Sequence, residues 1–307
     1  MLLSTVVIFS LLLLATVVIE FQLATDNTPE NRNNRMRIRT WWLICATCIP
    51  LLYVGEWAIT LLVYMLIYLV AFELSGLLRL NTNIMTTLIF ASAVTLYGFL
   101  ITGISNIFSL FYLLPITIFL ALLSMYYLHT DWFKRNTSTE KWGISLLVLS
   151  LCTTSIFSIE IIRQQSDAMG YNAGLLILFL LFITSSNDIF QYITGRILGR
   201  VALAPRLSKH KTVEGALGGI VLTTALGAFT LPFIINTGWL AAALTGTVIA
   251  ASGIAGDLNI SYLKRQAGVK DAGSCLPGHG GLLDRIDSLL LSAPVFGLCL
   301  SLIAHTH

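Results

Sequence analysis

The sequence predicts an all-α protein, a polytopic transmembrane helix bundle of about ten helices (nine to ten). Three observations carry this. Hydrophobic residues make up 56% of the 307 residues and charged residues only 11%, against about 25% charged in soluble domains. Mean hydropathy is +0.83. The apolar residues fall in long continuous runs near the roughly 20 residues that span a bilayer core. These runs lack the alternation of barrel strands, which selects helices.

The first run, 1–21, has no basic n-region and no clean small-residue cleavage site, so it reads as a retained helix rather than a removed signal peptide. The run 41–54 is short and either fuses with 57–78 or lies oblique. The remaining spans are 84–103, 106–128, 142–161, 173–194, 215–235, 239–256 and 288–305. Placing 22–40, 79–83, 129–141, 195–214 and 257–287 on one side puts 17 of the 18 Lys and Arg there, with Arg163 opposite. The positive-inside rule makes that side cytoplasmic and both termini external.

Net charge of +3 is small. No basic, aromatic-interleaved soluble domain exists, so nucleic acid is excluded as a partner. The basic loops suit membrane lipid headgroups, and a homodimer is an allowed arrangement. The five cysteines form no disulfide or zinc framework. Cys45 and Cys48 read as small apolar side chains packed in a helix. Two regions differ in kind. Residues 1–160 are N-terminal transmembrane helices with short connections. Residues 161–307 form a C-terminal transmembrane region whose two loops, 195–214 and 257–287, emerge on one face as cytoplasmic catalytic loops.

The interval 257–287 holds four carboxylates, four cations, a His and five glycines. Asp284 and Asp287 are spaced i, i+3, one face of a helix. Asp257 ends the preceding apolar run after the small residues Ser252-Gly253-Ile254-Ala255-Gly256. Three carboxylates from two helix ends suit Mg²⁺, a hard cation that keeps waters and recruits substrate phosphates. The plain alternative is anionic side chains placed at a helix N-terminus. Gly278-His279-Gly280-Gly281 offers backbone N–H groups to a phosphate, or forms a tight turn. Lys264, Arg265 and Lys270 supply neutralising cations, or anchor the chain to headgroups.

Asp188 lies seven residues inside the start of the basic loop, roughly 10 Å deep along its helix. An acid there costs on the order of 3 kcal/mol on insertion scales and faces a polar cavity, or is bonded to a neighbouring Ser or Tyr. The loop 195–214 adds Gly195, Arg196, Gly199, Arg200, Arg206, Ser208, Lys209, Lys211, Thr212 and Glu214. This set suits a polyphosphate or a lipid-headgroup patch.

The string Ser261-x-Leu263-Lys264-Arg265-x4-Lys270-Asp271-x-Gly273-x2-Leu276-Pro277-x-His279-Gly280-Gly281-x2-Asp284-Arg285-x-Asp287 resembles the signature of the phosphatidate cytidylyltransferases (CDP-diacylglycerol synthases). Upstream, Asp188, Tyr192, Gly195, Gly199, Ser208, Lys211, Thr212, Glu214 and Gly215 match that family in outline. The resemblance covers 180–295 and extends to the first 160 residues only as a run of membrane helices. Ile189-Phe190-Gln191 replaces the usual small residues, and Lys209 stands where Pro is usual. Both departures leave the reaction type intact and the exact lipid acceptor open, and they fit a divergent paralogue.

The resemblance implies a multi-pass protein of a bacterial inner (cell) membrane with its active site on the cytoplasmic face. There it would join CTP to phosphatidic acid, giving CDP-diacylglycerol and pyrophosphate. It implies Asp257 and Asp284 as metal ligands to Mg²⁺, with Asp287 next and a second cation as an option. Lys264 and Lys211 would hold substrate phosphates, and Asp188 would line the cavity. Ser208, Ser261, Lys270, Asp271, His279 and Arg285 would sit on the substrate side. Two rival readings are a CTP-dependent lipid kinase of the polyprenol or phytol type and an ion-coupled transporter. The absence of any convincing internal repeat argues against the transporter.

Overall fold

In a computed structural model of the chain, the structure describes residues 28–77, 138–273, 276 and 280–305, with scattered positions between 9 and 24. The predicted spans 84–103 and 106–128, most of 1–21, and His279 lie outside the described residues.

Gly55 decides the first junction. Helix α1 runs Pro29–Val54 and α2 runs Glu56–Leu77. Between them Gly55 takes φ +131°, a backbone state that side-chain-bearing residues rarely adopt. The two segments are therefore separate helices joined at one residue. Helix α1 also begins inside the predicted 22–40 loop. Pro29 suits a first helical position because its missing N–H would have had no partner there.

Helix α3 spans Ser138–Ala168 and α4 spans Ala173–Leu198. Asn172 caps α4, its side chain accepting from the Leu175 N–H at 3.0 Å. The all-α expectation needs one local correction. Part of the loop 195–214 forms an antiparallel hairpin, β1 Ala202–Ala204 with β2 Ser208–Thr212. Thr212 then caps α5 (Val213–Thr230), accepting from Gly215 N–H at 3.1 Å. Glu214 ties the hairpin back, accepting from the N–H groups of Arg200 and Val201 at 3.0 and 3.2 Å.

After a 3₁₀ turn at Leu231–Phe233, α6 runs Trp239–Gln266. The sequence ended this segment at 256, but the helix continues for ten more residues. Its 28 residues rise about 42 Å, well beyond a hydrocarbon core of about 30 Å. The surplus turns carry Asp257, Ser261 and Lys264 on helix rather than loop. A single turn, α7 (Leu283–Ile286), precedes α8 (Leu289–His305).

Four described helices are long and apolar enough to cross a membrane: Glu56–Leu77, Ala173–Leu198, Val213–Phe233 and Trp239–Gln266. Outward apolar side chains such as Phe229, Phe233, Trp239 and Leu244 are exposed, as lipid-facing residues are. The core joins α2, α3, α4, α6 and α8 through Ile67, Leu74, Phe157, Leu176, Ile260 and Phe296, and the Phe179 and Phe296 rings meet at 5.5 Å.

Arg163 lies among carboxylates. It reaches Glu160 at 2.7 Å, Asp167 at 2.8 Å and Glu56 at 3.0 Å. Glu56 begins α2, and Glu73 lies 17 residues further along it, about 26 Å away at the helical rise.

Helices α5 and α6 pack through glycine. A Cβ placed on Gly227 would stand 2.9 Å from the Gly246 Cα, and small residues are what allow such approach in membranes. Gly227→Val is therefore expected to force the helices apart and cost about 1–3 kcal/mol. A lowered thermal midpoint in detergent would register it, while Gly238→Ala, whose Cβ meets open space, leaves the midpoint unchanged.

Candidate functional site

The helical spacing of residues 257, 261 and 264 (i, i+4, i+7) places all three on one face of α6. On α4 the same rule aligns Asp188, Gln191, Tyr192 and Gly195. The α4 face packs against α5 at backbone distance, a Cβ on Gly215 lying 2.9 Å from the Gly195 Cα, and Asp257 of the α6 face shares one cavity with it. Between them opens a cavity of about 340 Å³ lined by Asp188, Gln191, Tyr192, Ser208, Lys211, Thr212, Gly215, Ala216, Asp257, Asp284 and Asp287.

Lys211 of β2 forms an ion pair with Asp257, whose other oxygen accepts from Ser261 Oγ at 3.2 Å. Lys264 Nζ pairs with Asp284 Oδ1 at 2.7 Å, both side chains being buried. Asp284 Oδ2 accepts from the N–H groups of Ala272 at 2.8 Å and Gly281 at 3.0 Å. Asp188 accepts from Ser288 Oγ at 3.2 Å and from Gln191 Nε2 at 3.3 Å. Asp287 accepts from the Ser288 N–H at 2.8 Å. Burial pushes the Asp287 carboxyl well above the ordinary carboxylate range. The charge on Asp257 pushes it further, Lys264 and Lys211 pull it back, and Asp188 adds to the rise.

Four carboxylates and the Lys211 ammonium thus line one cavity, with Lys264 paired to Asp284. All four belong to the sequence-derived set, and Ser208 and Lys211 join them on the wall. Ser261 supports Asp257 from the next turn, and Lys264 meets Asp284 rather than open solvent. Lys270, Asp271 and Arg285 are exposed and do not line the cavity. The Gly281 N–H, read as a phosphate donor, is taken by Asp284. Asp284 and Asp287 were expected on one helix; Asp284 lies within α7 and Asp287 follows its last residue.

Gln191, Ala216 and Ser288 were not singled out as site residues. Gln191 was visible on the Asp188 face by spacing, and Ser288 by adjacency to Asp287. Glu73 lies in the N-terminal region to which the sequence assigned no site residue. It is buried and accepts the N–H groups of Leu282 and Leu283, both at 2.8 Å. No local sequence signal links residues more than 200 positions apart.

Among the described residues, no three His, Cys, Asp or Glu side chains converge as a ready metal cluster. The donor chemistry nonetheless suits a hard divalent cation. It consists of carboxylate oxygens, with Lys211 and Lys264 supplying positive charge at Asp257 and Asp284. Opening those pairs would free oxygens from two elements toward one cavity.

Comparison with known proteins defines the class. Residues 35–303 match the model of the Cytidylyltransferase family. The chain belongs to that family and is a nucleotidyltransferase. It is 36% identical over 298 residues to uncharacterized protein YnbB of Escherichia coli strain K12, covering 95% of this chain and 96% of that one. It is also 35% identical over 179 residues to phosphatidate cytidylyltransferase of Aquifex aeolicus, covering 58% of this chain and 63% of the relative. With the Synechocystis phosphatidate cytidylyltransferase it shares 45% over 132 residues, 41% of this chain and 43% of the relative. The matches to these two phosphatidate cytidylyltransferases thus span less than two thirds of their length.

Two outcomes follow from the electrostatics. Lys264→Met strands a buried Asp284 carboxylate and is expected to lower stability by about 3 kcal/mol, read as a fall in thermal midpoint that Lys270→Met does not produce. Asp287 behaves in the opposite sense. Its folded pKa is raised, so ionising it opposes folding. In metal-free buffer the wild-type midpoint should therefore fall as pH rises from the ordinary carboxylate pKa of about 4 toward the raised value. Asp287→Asn should flatten that decline and raise the midpoint at neutral pH by roughly 2 °C or more.

Proposed function

We propose that the chain transfers the cytidylyl group of CTP to phosphatidate, forming CDP-diacylglycerol and pyrophosphate, at the cytoplasmic face of the membrane. The observation that carries this reading is one cavity gathering Asp188, Asp257, Asp284 and Asp287 with Lys211 at the ends of apolar helices. The family membership and the phosphatidate cytidylyltransferase relatives support it.

A phosphate oxygen of phosphatidate attacks the α-phosphorus of CTP. The bond to the bridging oxygen breaks and pyrophosphate leaves with that oxygen. The nucleophile is already anionic, so no strong general base is needed. The barrier is the approach of two anions, and positioning and positive potential lower it. Asp257, Asp284 and Asp287 would hold Mg²⁺, which supplies charge neutralisation for the phosphates. Lys211 and Lys264 would turn from their carboxylates toward phosphate oxygens. Asp188, held by Ser288 and Gln191, keeps the α4 wall polar. Tyr192 both lines the cavity and is exposed, and its hydroxyl accepts from Arg196 at 3.1 Å. That edge suits a lipid whose chains remain in the bilayer.

The deciding experiment incubates purified protein in nanodiscs with CTP, Mg²⁺ and phosphatidate and identifies the products by mass. CDP-diacylglycerol with pyrophosphate is expected. In a parallel arm with a polyprenol in place of phosphatidate, a phosphorylated lipid alcohol with CDP would instead establish the kinase. Asp284→Asn should insert and fold yet lose turnover by a factor of about 100 or more, and chelation by EDTA should abolish wild-type turnover until Mg²⁺ is restored. Wild-type rates in Asp284→Asn would overturn the ligand assignment.

A further inference from the structure

Glu73 lies on α2, in the part of the chain to which the sequence assigned no chemistry. It is 5% exposed. Its Oε1 takes the Leu282 N–H and its Oε2 the Leu283 N–H, each at 2.8 Å. Asp284 Oδ2 takes the preceding amide, Gly281, at 3.0 Å and also Ala272 at 2.8 Å. Three successive amides at the start of α7 therefore end on two carboxylates. A four-residue turn cannot hold itself, since the first N–H groups of any helix have no partner within it and a single turn is unfavourable in isolation. The direction of α7, and with it the placement of Asp284 and Asp287, must come from outside.

Gly273 and Gly281 approach the same carboxylate. A Cβ at Gly281 would stand 2.7 Å from Glu73 Oε2, and one at Gly273 would stand 3.0 Å from Oε1. Both glycines leave room for Glu73 to reach buried backbone donors.

We infer that Glu73 is a positioning residue for the transfer reaction, a carboxylate clamp from α2 that fixes the orientation of α7 and so aims Asp284 and Asp287 into the cavity. The kinetic half of this inference rests on the transfer reading above; the clamp itself does not. Two charge-assisted hydrogen bonds to buried amides are among the stronger contacts available. A displacement of about 1 Å in groups that orient reactants is enough to slow a reaction up to about 100-fold.

The test uses the full chain in nanodiscs with Glu73→Gln and Glu73→Ala. Gln retains one oxygen acceptor and turns an NH₂ toward the other amide; Ala removes both acceptors. Hydrogen exchange at residues 281–284 is expected to quicken about tenfold in Gln and further in Ala, with the transmembrane helices unchanged. With CTP, Mg²⁺ and phosphatidate, kcat should fall about tenfold in Gln and more in Ala, while KM for CTP stays within about threefold. Wild-type exchange at 281–284 in both variants overturns the clamp. A kcat loss that only matches the fraction of unfolded protein, or that is replaced by a rise in KM, overturns the positioning role. If Glu73→Ala does not fold, Glu73→Gln decides alone. If wild type forms no CDP-lipid, the transfer reading falls and takes the kinetic half with it, while exchange still decides whether Glu73 holds α7.

Discussion

The carboxylate of Asp284 is where the site is tied together. One oxygen holds the Lys264 ammonium from α6, and the other holds the amides of Ala272 and Gly281. The end of α6, the segment after it and the entry to α7 are thereby joined at one buried group. Burial makes this costly unless every partner is present, because an ionised carboxylate in a low-dielectric place is stable only when paired and hydrogen-bonded. The same requirement that makes the group expensive makes its surroundings specific.

Around that knot the cavity carries more negative than positive side chains, with Asp188, Asp257, Asp284 and Asp287 facing Lys211 and Lys264. Burial, and after it this surplus of negative charge, raises the pKa of Asp287. A cavity in this state attracts cations and repels bare phosphates. Under the proposed reaction, nucleotide and divalent ion would therefore arrive together, the ion relieving the carboxylates and the lysines becoming free for the phosphates. Under that reaction, the physical demand of joining two anions falls on these residues.

Much of the architecture was legible because lipid removes choices. An apolar run near 20 residues has to be a helix, and the helices around 57–78, 173–194 and 215–235 appear close to where composition put them. Boundaries were less legible. Helix α6 runs through 257–266 because nothing there breaks a helix, and charged residues past the bilayer edge no longer oppose it. The hairpin 202–212 was hidden because a short strand pair among basic residues reads as loop. Asp188 was legible as a carboxylate too costly to place in an apolar helix without a purpose, and Asp257, Asp284 and Asp287 as acids gathered at two helix ends; the helical spacing of 257, 261 and 264 orders one face once the helix is known to continue.

By itself the sequence determined the class of solvent this protein lives in, the helical character of its spans and the set of acidic side chains that a polar cavity had to shelter. Those follow from local chemistry, from backbone hydrogen bonding in hydrocarbon and the cost of burying charge. Tertiary structure alone decided that Lys264 faces Asp284, that Lys270 and Arg285 stay outside the cavity wall, and that Glu73 grips the amides of Leu282 and Leu283. Such pairings join groups far apart in the chain, and no pattern along it records which distant carboxylate will reach which unpaired N–H.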